Sequence, residues 1–313
     1  MISIVIPTYN RVEELRKAIE STLGQSYCDF EIIVVDNGPS TDNTRQVVES
    51  FKDERVRYIV TDLKGCIFAR NIGAEVAKGE ILLTLDDDIE FIEGNELARL
   101  VETYKNDDTI AIVGGIELGT RDETVGKSVD ILHPEVGRIS GRGDFNTSFK
   151  LIAGHGITEV DHVRSAFMGI RREVFDQVGG FDEIYNARGL GFRYESDFCL
   201  KAKKAGYKVA VNPDIKIWHK GAPRTRGFER GMGFSYYYYA NRNHVYLMNK
   251  FFWNGKLSTF LRDFLWGTYR TPGIGWCLMR SITNRNLGFI RNAFSSAIGK
   301  VEGYRRWYLN ERK

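Results

Sequence analysis

The feature that most constrains the fold is the alternation of short β-branched runs with helix-like stretches over the first 115 residues. The helix-like stretches are Arg11 to Leu23, Thr44 to Phe51 and Ile67 to Val76, and the runs around them are ISIVI, EIIVV, VRYIV, ILLTL and IAIVGG. Strand, helix, strand in this order implies right-handed βαβ units on one sheet. We therefore predict an α/β fold with a mostly parallel sheet flanked by helices.

The pattern changes twice further along the chain. Residues 116 to about 165 are rich in Gly, Thr, Asp and Arg, which predicts loops with a hairpin. Short helices are predicted near Arg171 to Gln177 and from Ser196 to Ala205, followed by a strand at YKVAV. From Phe228 to Tyr308, apolar residues recur three or four apart between basic ones, which predicts a C-terminal extension of basic amphipathic helices.

The charge is divided unevenly along a chain whose net charge is only +3. From residue 201 onward there are 22 Lys and Arg against 5 Asp and Glu, whereas residues 1–200 carry 22 against 36. The C-terminal region is therefore expected to face something anionic. Phospholipid head groups, a lipid-phosphate acceptor and nucleic acid all remain open on charge alone.

The N-terminus and the cysteines predict a cytosolic protein. MISIVIPTYNR lacks a basic segment followed by a long apolar run, and no stretch of about 18 apolar residues occurs, so neither a signal peptide nor a membrane-spanning helix is predicted. The cysteines show no zinc-ligand or CxxC spacing and are expected to be reduced thiols: Cys28, Cys66, Cys199 and Cys277.

Polar residues follow the predicted strands at the edge where ligands bind in open parallel sheets. They are Pro7, Thr8, Tyr9, Asn10 and Arg11 after ISIVI, Asp36, Asn37 and Gly38 after EIIVV, and Asp86, Asp87 and Asp88 after ILLTL. Thr8, Asn10 and Asp36 have a plain alternative, which is that they cap helices or build turns.

The three consecutive aspartates are harder to explain structurally, because like charges repel and a strand end gains nothing from stacking them. A cation would neutralise them, and hard oxygen ligands suit Mg²⁺ or Mn²⁺ beside a phosphate-bearing substrate. The alternative for Asp86, Asp87 and Asp88 is an acidic surface turn.

Seven segments together resemble the family 2 glycosyltransferases of the GT-A fold. They are IVIPTYNR, VVDNGPSTDNT, ARNIGAEVAKGE, LDDD, VGGFDE, YESDFCLKAKKAGY and WHKG, in the family's order over roughly residues 1–222. The resemblance implies a metal-dependent, inverting transfer of a sugar from a nucleotide-diphosphate donor, a UDP, GDP or dTDP sugar, to an acceptor hydroxyl. It implies a catalytic domain at 1–225, with a nucleotide-binding half (1–115) and an acceptor half (116–225), before a basic helical region at 226–313.

The resemblance also implies roles for single residues on the donor side. Pro7, Thr8, Tyr9, Asn10 and Asp36 are expected to hold the base and ribose, and Lys64 and Arg70 to flank the base and diphosphate, unless these two belong to a solvated helix face. Asp86 and Asp87 are expected near ribose and phosphate. The Mn²⁺ or Mg²⁺ ligands are expected to be Asp88, Asp86 and His219, although an isolated histidine is more often a core or surface residue.

The expected catalytic base is Glu195, with Asp197 as the fallback. Inversion requires a base on the face of the sugar opposite the leaving group. In the segment YESD, Glu195 stands at the position of the family's catalytic base, two residues before Asp197. The alternative is that both carboxylates only favour the start of a helix. The chain departs from the family pattern at two positions. Many relatives have aspartate where this chain has Glu195, and the preceding position, which is often acidic in relatives, is Tyr194 here.

The remaining sequence features concern the acceptor and the surroundings. Arg224, Arg226 and Arg230 are expected to form a loop closing over the diphosphate, with a merely flexible basic loop as the alternative. Processive synthases of the family usually carry a Q-x-x-R-W element, and none follows here, so the resemblance implies one sugar per encounter. The resemblance together with the basic C-terminal charge implies a lipid-linked or surface glycan acceptor. The basic helices predict peripheral attachment at the cytoplasmic face of an anionic membrane rather than nucleic-acid binding.

The competing function is a catalytically impaired sugar-nucleotide-binding protein.

Overall fold

The computed structural model separates the chain into two compact units. One comprises residues 1–138 and 146–227, and the other comprises residues 139–145 and 228–313. Within them, the structure describes residues 1–119, 135–187, 190–221, 233–268, 270–285 and 288–311.

The strands found in the described residues all belong to the first unit. They are β1 (Ile2–Thr8), β2 (Phe30–Asn37), β3 (Val56–Thr61), β4 (Ile81–Leu85), β5 (Ile89–Phe91), β6 (Ile110–Leu118), β7 (Thr158–Glu159), β8 (Phe167–Arg171), β9 (Asn186–Ala187), β10 (Leu190–Gly191) and β11 (Lys208–His219).

Helices flank the sheet in the first unit and make up most of the second. The first unit contains α1 (Val12–Leu23), α2 (Thr44–Ser50), α3 (Cys66–Val76), α4 (Glu96–Asn106), α5 (Arg172–Val178) and α6 (Tyr194–Lys204), with short 3₁₀ turns at Phe149–Ile152 and Glu183–Tyr185. The second contains α7 (Phe234–Met248), a π-helical turn at Asn249–Trp253, α8 (Leu257–Leu265), α9 (Ile274–Thr283) and α10 (Gly288–Glu311).

The main sheet runs in the order β3-β2-β1-β4-β8-β6-β11-β5, with β7 beside β11. The pairs β3/β2, β2/β1, β1/β4 and β6/β11 are parallel, which confirms the predicted α/β class. Strand β8 was not predicted, and it runs antiparallel to both β4 and β6 in the middle of the sheet. Because β8 is reversed, its start lies at the same edge as the carboxyl ends of its neighbours.

The core explains why the strand sequences are continuously apolar. Every residue of β1 is buried, as expected when helices cover both faces of a parallel sheet. Helix α3 approaches β1 so closely that a Cβ added to Gly73 would lie 2.3 Å from a methyl carbon of Val5. This approach fixes the helix that carries Arg70 towards the carboxyl edge.

The second unit is built on the packing of α10 along α7, and small residues permit it. A Cβ added to Gly299 would lie 2.4 Å from the Tyr238 carbonyl oxygen, and one added to Gly303 would lie 2.3 Å from that of Arg242. Lys300 on the same helix is fully buried and donates to Asp263, which satisfies two charges that would otherwise be costly. Among the helices that the structure describes, none is long and apolar enough to cross a bilayer.

We expect Gly303→Ala to lower the free energy of unfolding by about 1–3 kcal/mol, because the new methyl group would force the α7 and α10 backbones apart. Gly141→Ala is the matched control in the same unit, since a Cβ there meets nothing within 4 Å. Denaturant titration of both variants measures the difference. Equal midpoints for the two variants would contradict the close approach.

Candidate functional site

The loops that follow β1 and β2 are joined by hydrogen bonds. Asn10, with a φ of 51°, accepts from the backbone N–H of Thr41 at 2.6 Å, and its own N–H donates to Ser40 Oγ at 2.9 Å. Asp36 is fully buried and accepts from the backbone and hydroxyl of Ser40 and from the hydroxyl of Tyr58. Asn10 and Asp36 therefore tie the two loops into one double loop, which agrees with the turn-building alternative; the role of these residues in donor binding stays a prediction.

Tyr9 and Lys64 flank the glycine of that double loop. A Cβ built on Gly38 would lie 3.6 Å from the Tyr9 ring and 3.3 Å from Lys64 Cγ. Pro7 and Thr8 end β1 and are buried, whereas Lys64 is exposed just before α3. Tyr9 and Lys64 therefore lie on either side of Gly38 at the carboxyl edge of the sheet.

The three aspartates after β4 point in two directions. Asp87 accepts from Thr8 Oγ1 at 2.9 Å and from Arg11 at 2.6 Å, so its side chain faces the first loop. Burial and the neighbouring carboxylates of Asp88 and Asp86 outweigh Arg11 and raise the pKa of Asp87 to about 7. Like-charge repulsion within the triplet is therefore a property of the folded site.

Asp86 and Asp88 meet His219, which ends β11. One ligand atom from each of the three residues lies within 4.8 Å of the others, and His219 Nε2 is 3.5 Å from Asp88 Oδ1. An ion of the size of Mg²⁺ holds opposite ligands about 4.2 Å apart, so three ligand atoms within 4.8 Å of one another are close to the separation that one ion needs. Two carboxylates and an imidazole fit Mn²⁺ or Mg²⁺.

Arginines partner the carboxylates of this cluster. Arg11 donates to Asp88 at 2.8 Å, and Arg70, only 2% exposed, donates to Asp86. Among the residues described, neither Arg11 Nε nor Arg70 Nε has a hydrogen-bond partner, although both atoms are buried. Two buried N–H groups beside the cluster therefore lack a hydrogen-bond acceptor among the described residues.

Glu117, near the end of β6, fixes the orientation of His219. Its carboxylate lies 2.9 Å from His219 Nδ1 and also accepts from Arg164 at 2.7 Å. Burial would lower the pKa of His219, but Glu117 and the carboxylates of Asp86 and Asp88 raise it to about 9. With Nδ1 held by Glu117, Nε2 is the ring atom presented to the Asp86 and Asp88 carboxylates.

We expect Glu117→Gln to weaken Mn²⁺ binding about 10–100-fold, because the imidazole would lose its orienting carboxylate. Calorimetric titration of the purified protein with Mn²⁺ measures the change. Glu90→Gln is the control, since Glu90 is a nearby carboxylate that pairs with Lys220 instead. Unchanged Mn²⁺ affinity in Glu117→Gln would show that His219 does not depend on this contact.

Glu195 is the second residue of α6, and the helix begins directly after Arg193, which has a left-handed φ of 73°. Its Oε2 atom is buried and accepts no hydrogen bond from any described residue. Burial raises the pKa of Glu195, while the charges of Arg70 and Arg164 oppose the shift. Since these arginines partner Asp86 and Glu117, Glu195 belongs to the same site.

Asp197 is placed differently from Glu195. It is fully buried, accepts from the Tyr185 hydroxyl at 2.9 Å and pairs with Lys201 at 3.0 Å. A carboxylate held by these two groups stabilises the start of α6. Tyr194 also packs structurally, since its ring lies 5.6 Å from the Arg70 guanidinium and its hydroxyl donates to Ser165.

The structure therefore brings most predicted site residues to one edge of the sheet and adds three that were not assigned a role, which are Arg11, Glu117 and Arg164. Glu117 is the only charged residue in the apolar run IAIVGGIEL. A single carboxylate near the end of a buried strand could have identified Glu117 as a site residue from the sequence. The predicted loop arginines, Arg224, Arg226 and Arg230, lie outside the described residues.

The α/β sheet, with its Asp-Asp-His cluster at the carboxyl edge, matches the GT-A fold of glycosyltransferases in the comparisons with known proteins. The chain belongs to glycosyl transferase family 2, whose model matches residues 3–179. A solved structure supports the fold: the mannosyltransferase PcManGT from Pyrobaculum calidifontis, in complex with GDP-Man and Mn²⁺, superposes with a TM-score of 0.54 at 15% identity. That comparison covers 100% of this chain and 88% of the other.

Two relatives resemble the chain over most of its length. An uncharacterised protein, y4gI, from Sinorhizobium fredii is 29% identical over 243 residues, which is 73% of this chain but 25% of that protein. A glucosyl-dolichyl phosphate glucuronosyltransferase from Haloferax volcanii is 26% identical over 226 residues, which is 70% of this chain and 69% of that protein. The chain thus matches only a quarter of the first relative and about two thirds of the second.

Proposed function

We propose that the protein transfers a sugar from a nucleotide-diphosphate donor to an acceptor hydroxyl with inversion, one sugar per encounter, and that it uses Mn²⁺ or Mg²⁺. The observation that carries the proposal is the Asp86, Asp88 and His219 cluster, which lies in one site with a buried glutamate oxygen that no described residue satisfies. Membership of family 2 and the GDP-Man and Mn²⁺ bound to PcManGT support it.

The donor is proposed to lie along the carboxyl edge of the sheet. The double loop of Asn10 and Asp36 would hold the base and ribose together with Pro7, Thr8, Tyr9 and Lys64, while the buried Nε–H groups of Arg70 and Arg11 would donate to the diphosphate. Asp87 would contribute indirectly, because it ties Thr8 and Arg11 to the acidic triplet.

Asp86, Asp88 and His219 would hold the cation. When bound, it offsets the negative charge that develops on the departing nucleoside diphosphate. Glu117 would act as the positioning residue for His219.

Glu195 is proposed as the base. Its carboxylate would accept the proton of the acceptor hydroxyl while the acceptor oxygen bonds to the sugar carbon and the bond to the diphosphate breaks, with the electron pair leaving on the diphosphate. Asp197 would only fix the start of α6 through Tyr185 and Lys201, and it would not touch the substrate.

The test is a panel of UDP, GDP and dTDP sugars incubated with the purified protein and Mn²⁺, followed by measurement of released nucleoside diphosphate. We expect release from at least one donor and none after chelation of the metal. Tight binding of a donor without turnover with any acceptor would favour the competing function, a catalytically impaired sugar-nucleotide-binding protein.

The acceptor is proposed to be a lipid-linked or surface glycan, reached from the cytoplasmic face of a membrane. The excess of basic residues after residue 201 supports electrostatic attachment to anionic lipids. The name of the Haloferax volcanii relative, which acts on a glucosyl-dolichyl phosphate, is consistent with a lipid-linked acceptor. Binding to anionic vesicles should weaken as salt rises. Equal binding to neutral vesicles at high salt would count against electrostatic attachment.

A further inference from the structure

Helix α10 has its apolar residues on the outside. Five of its solvent-facing positions carry large apolar side chains, which we call the outer stripe: Ile290, Phe294, Ile298, Val301 and Tyr308. Their spacing of four, four, three and seven residues places them on one face of the helix. Arg291 and Arg305 are also exposed on this helix, and Arg305 pairs with Glu302. Phe294 is 64% exposed and Val301 is 53% exposed, so the stripe is open to solvent.

The opposite face of α10 is small and polar. Its buried residues are Asn292, Ala293, Ser295, Ser296, Gly299, Lys300, Gly303 and Trp307, so Trp307 is the one large apolar side chain among them. A water-exposed helix normally shows the reverse arrangement, with apolar residues buried and polar residues outside. Small residues at the helix contact and large apolar ones outside are instead typical of helices surrounded by lipid.

Helices α8 and α9, which precede α10 in the chain, also expose large apolar side chains. Exposed apolar residues also occur on α8 and α9, notably Leu257, Leu261, Leu265, Leu278, Met279 and Ile282, and Trp266 follows α8 with 56% of its surface exposed. Three consecutive helices with such residues expose far more apolar surface than scattered single side chains would.

The positive charge of the second unit favours an anionic membrane over a second copy of the chain as the partner of the outer stripe. Its described residues from 233 to 311 contain 11 Lys and Arg but only 3 Asp and Glu, and each of those acids is paired with a lysine or arginine of the unit. Arg285 and Arg291 are exposed and make no ion pair with any described residue, and Arg291 directly follows Ile290 of the stripe. A second copy of the chain would bring two positive surfaces together, whereas an anionic bilayer offers both counter-charge and a hydrocarbon phase.

We propose that the outer stripe of α10 inserts into the boundary between head groups and acyl chains of an anionic membrane, with the helix lying along the surface. The inference deepens the proposed membrane attachment and rests on it. Attachment then has an apolar part that salt does not screen, in addition to the electrostatic part.

The test uses the full chain and vesicles of phosphatidylglycerol and phosphatidylcholine. Phe294→Asp combined with Ile298→Asp is expected to reduce the vesicle partition coefficient at least about tenfold, because two side chains lose apolar burial and add charge. Ile157→Asp is the matched control, since Ile157 is 45% exposed in the first unit and should leave binding unchanged. Donor hydrolysis without lipid should be the same in all these proteins.

A second variant reports on insertion without disturbing the stripe. Phe294→Trp is expected to gain fluorescence that lipids brominated on the acyl chain quench, whereas Trp residues of the unmodified chain provide the background. Lack of quenching, or a double aspartate variant that binds like Ile157→Asp, would overturn insertion. If salt-sensitive binding persisted in that case, electrostatic attachment would stand alone.

Two further outcomes are also decisive. A vesicle-free dimer that the double aspartate variant dissociates would assign the stripe to a second copy and overturn the proposal. If no donor is hydrolysed by any of the proteins but insertion is observed, the proposed transferase activity fails and the membrane inference remains.

Discussion

Replacing Glu195 with glutamine is expected to lower sugar transfer by about 10²–10⁴-fold while leaving donor affinity unchanged, because general base catalysis contributes about that much. Glutamine keeps the size and the hydrogen-bonding reach of the side chain but cannot take a proton. Steady-state transfer rates together with calorimetric donor binding separate the two effects. A variant that turns over normally would remove Glu195 from the reaction.

The matched control for this prediction is Glu173→Gln. Glu173 is exposed in the first turn of α5, at the position that Glu195 occupies in α6, so it tests the simple preference of helix starts for acids. Its replacement should not change transfer.

The pH profile gives an independent check on Glu195. Burial raises the pKa of Glu195, so the base becomes protonated at a higher pH than an ordinary glutamate would. Activity should therefore fall as the pH drops through this raised value, and that acid limb should be missing from the residual activity of Glu195→Gln.

The second large effect is expected from Asp88→Asn, which should abolish Mn²⁺ uptake in calorimetry and reduce transfer by more than about 100-fold, since loss of a direct ligand should exceed the loss of an outer contact. Asp87→Asn is the control within the same triplet, because Asp87 faces Thr8 and Arg11 instead of His219. Its Mn²⁺ affinity should change less than tenfold. Full ion uptake by Asp88→Asn would place the ion elsewhere.

Much of this arrangement follows from local pattern. Parallel strands end at one edge, so residues after ISIVI, EIIVV and ILLTL were expected to meet, and the α/β class is confirmed. The different directions of Asp86, Asp87 and Asp88 could not be ranked from their order alone, although successive side chains of an extended segment alternate.

The features that were missed depend on partners distant in sequence. Strand β8 is a five-residue segment whose antiparallel pairing with β4 and β6 is set by tertiary contacts. Helix α4 was overlooked despite apolar residues at helical spacing, Leu97, Leu100, Val101 and Tyr104. The site around Glu117 and Arg164 forms only because β8 brings Arg164 to the carboxyl edge.

The position of β8 also bears on how the chain is made. Residues 1–85 can assemble β3, β2, β1 and β4 as soon as they leave the ribosome, because those strands pair with one another. One edge of β4 stays unpaired until β8 is synthesised more than 80 residues later. Strand β6 is synthesised in between, and its two partners, β8 and β11, both follow it in the chain. Slow or interrupted translation in this interval leaves an unpaired strand edge, which is where nascent chains of this topology are most exposed to aggregation.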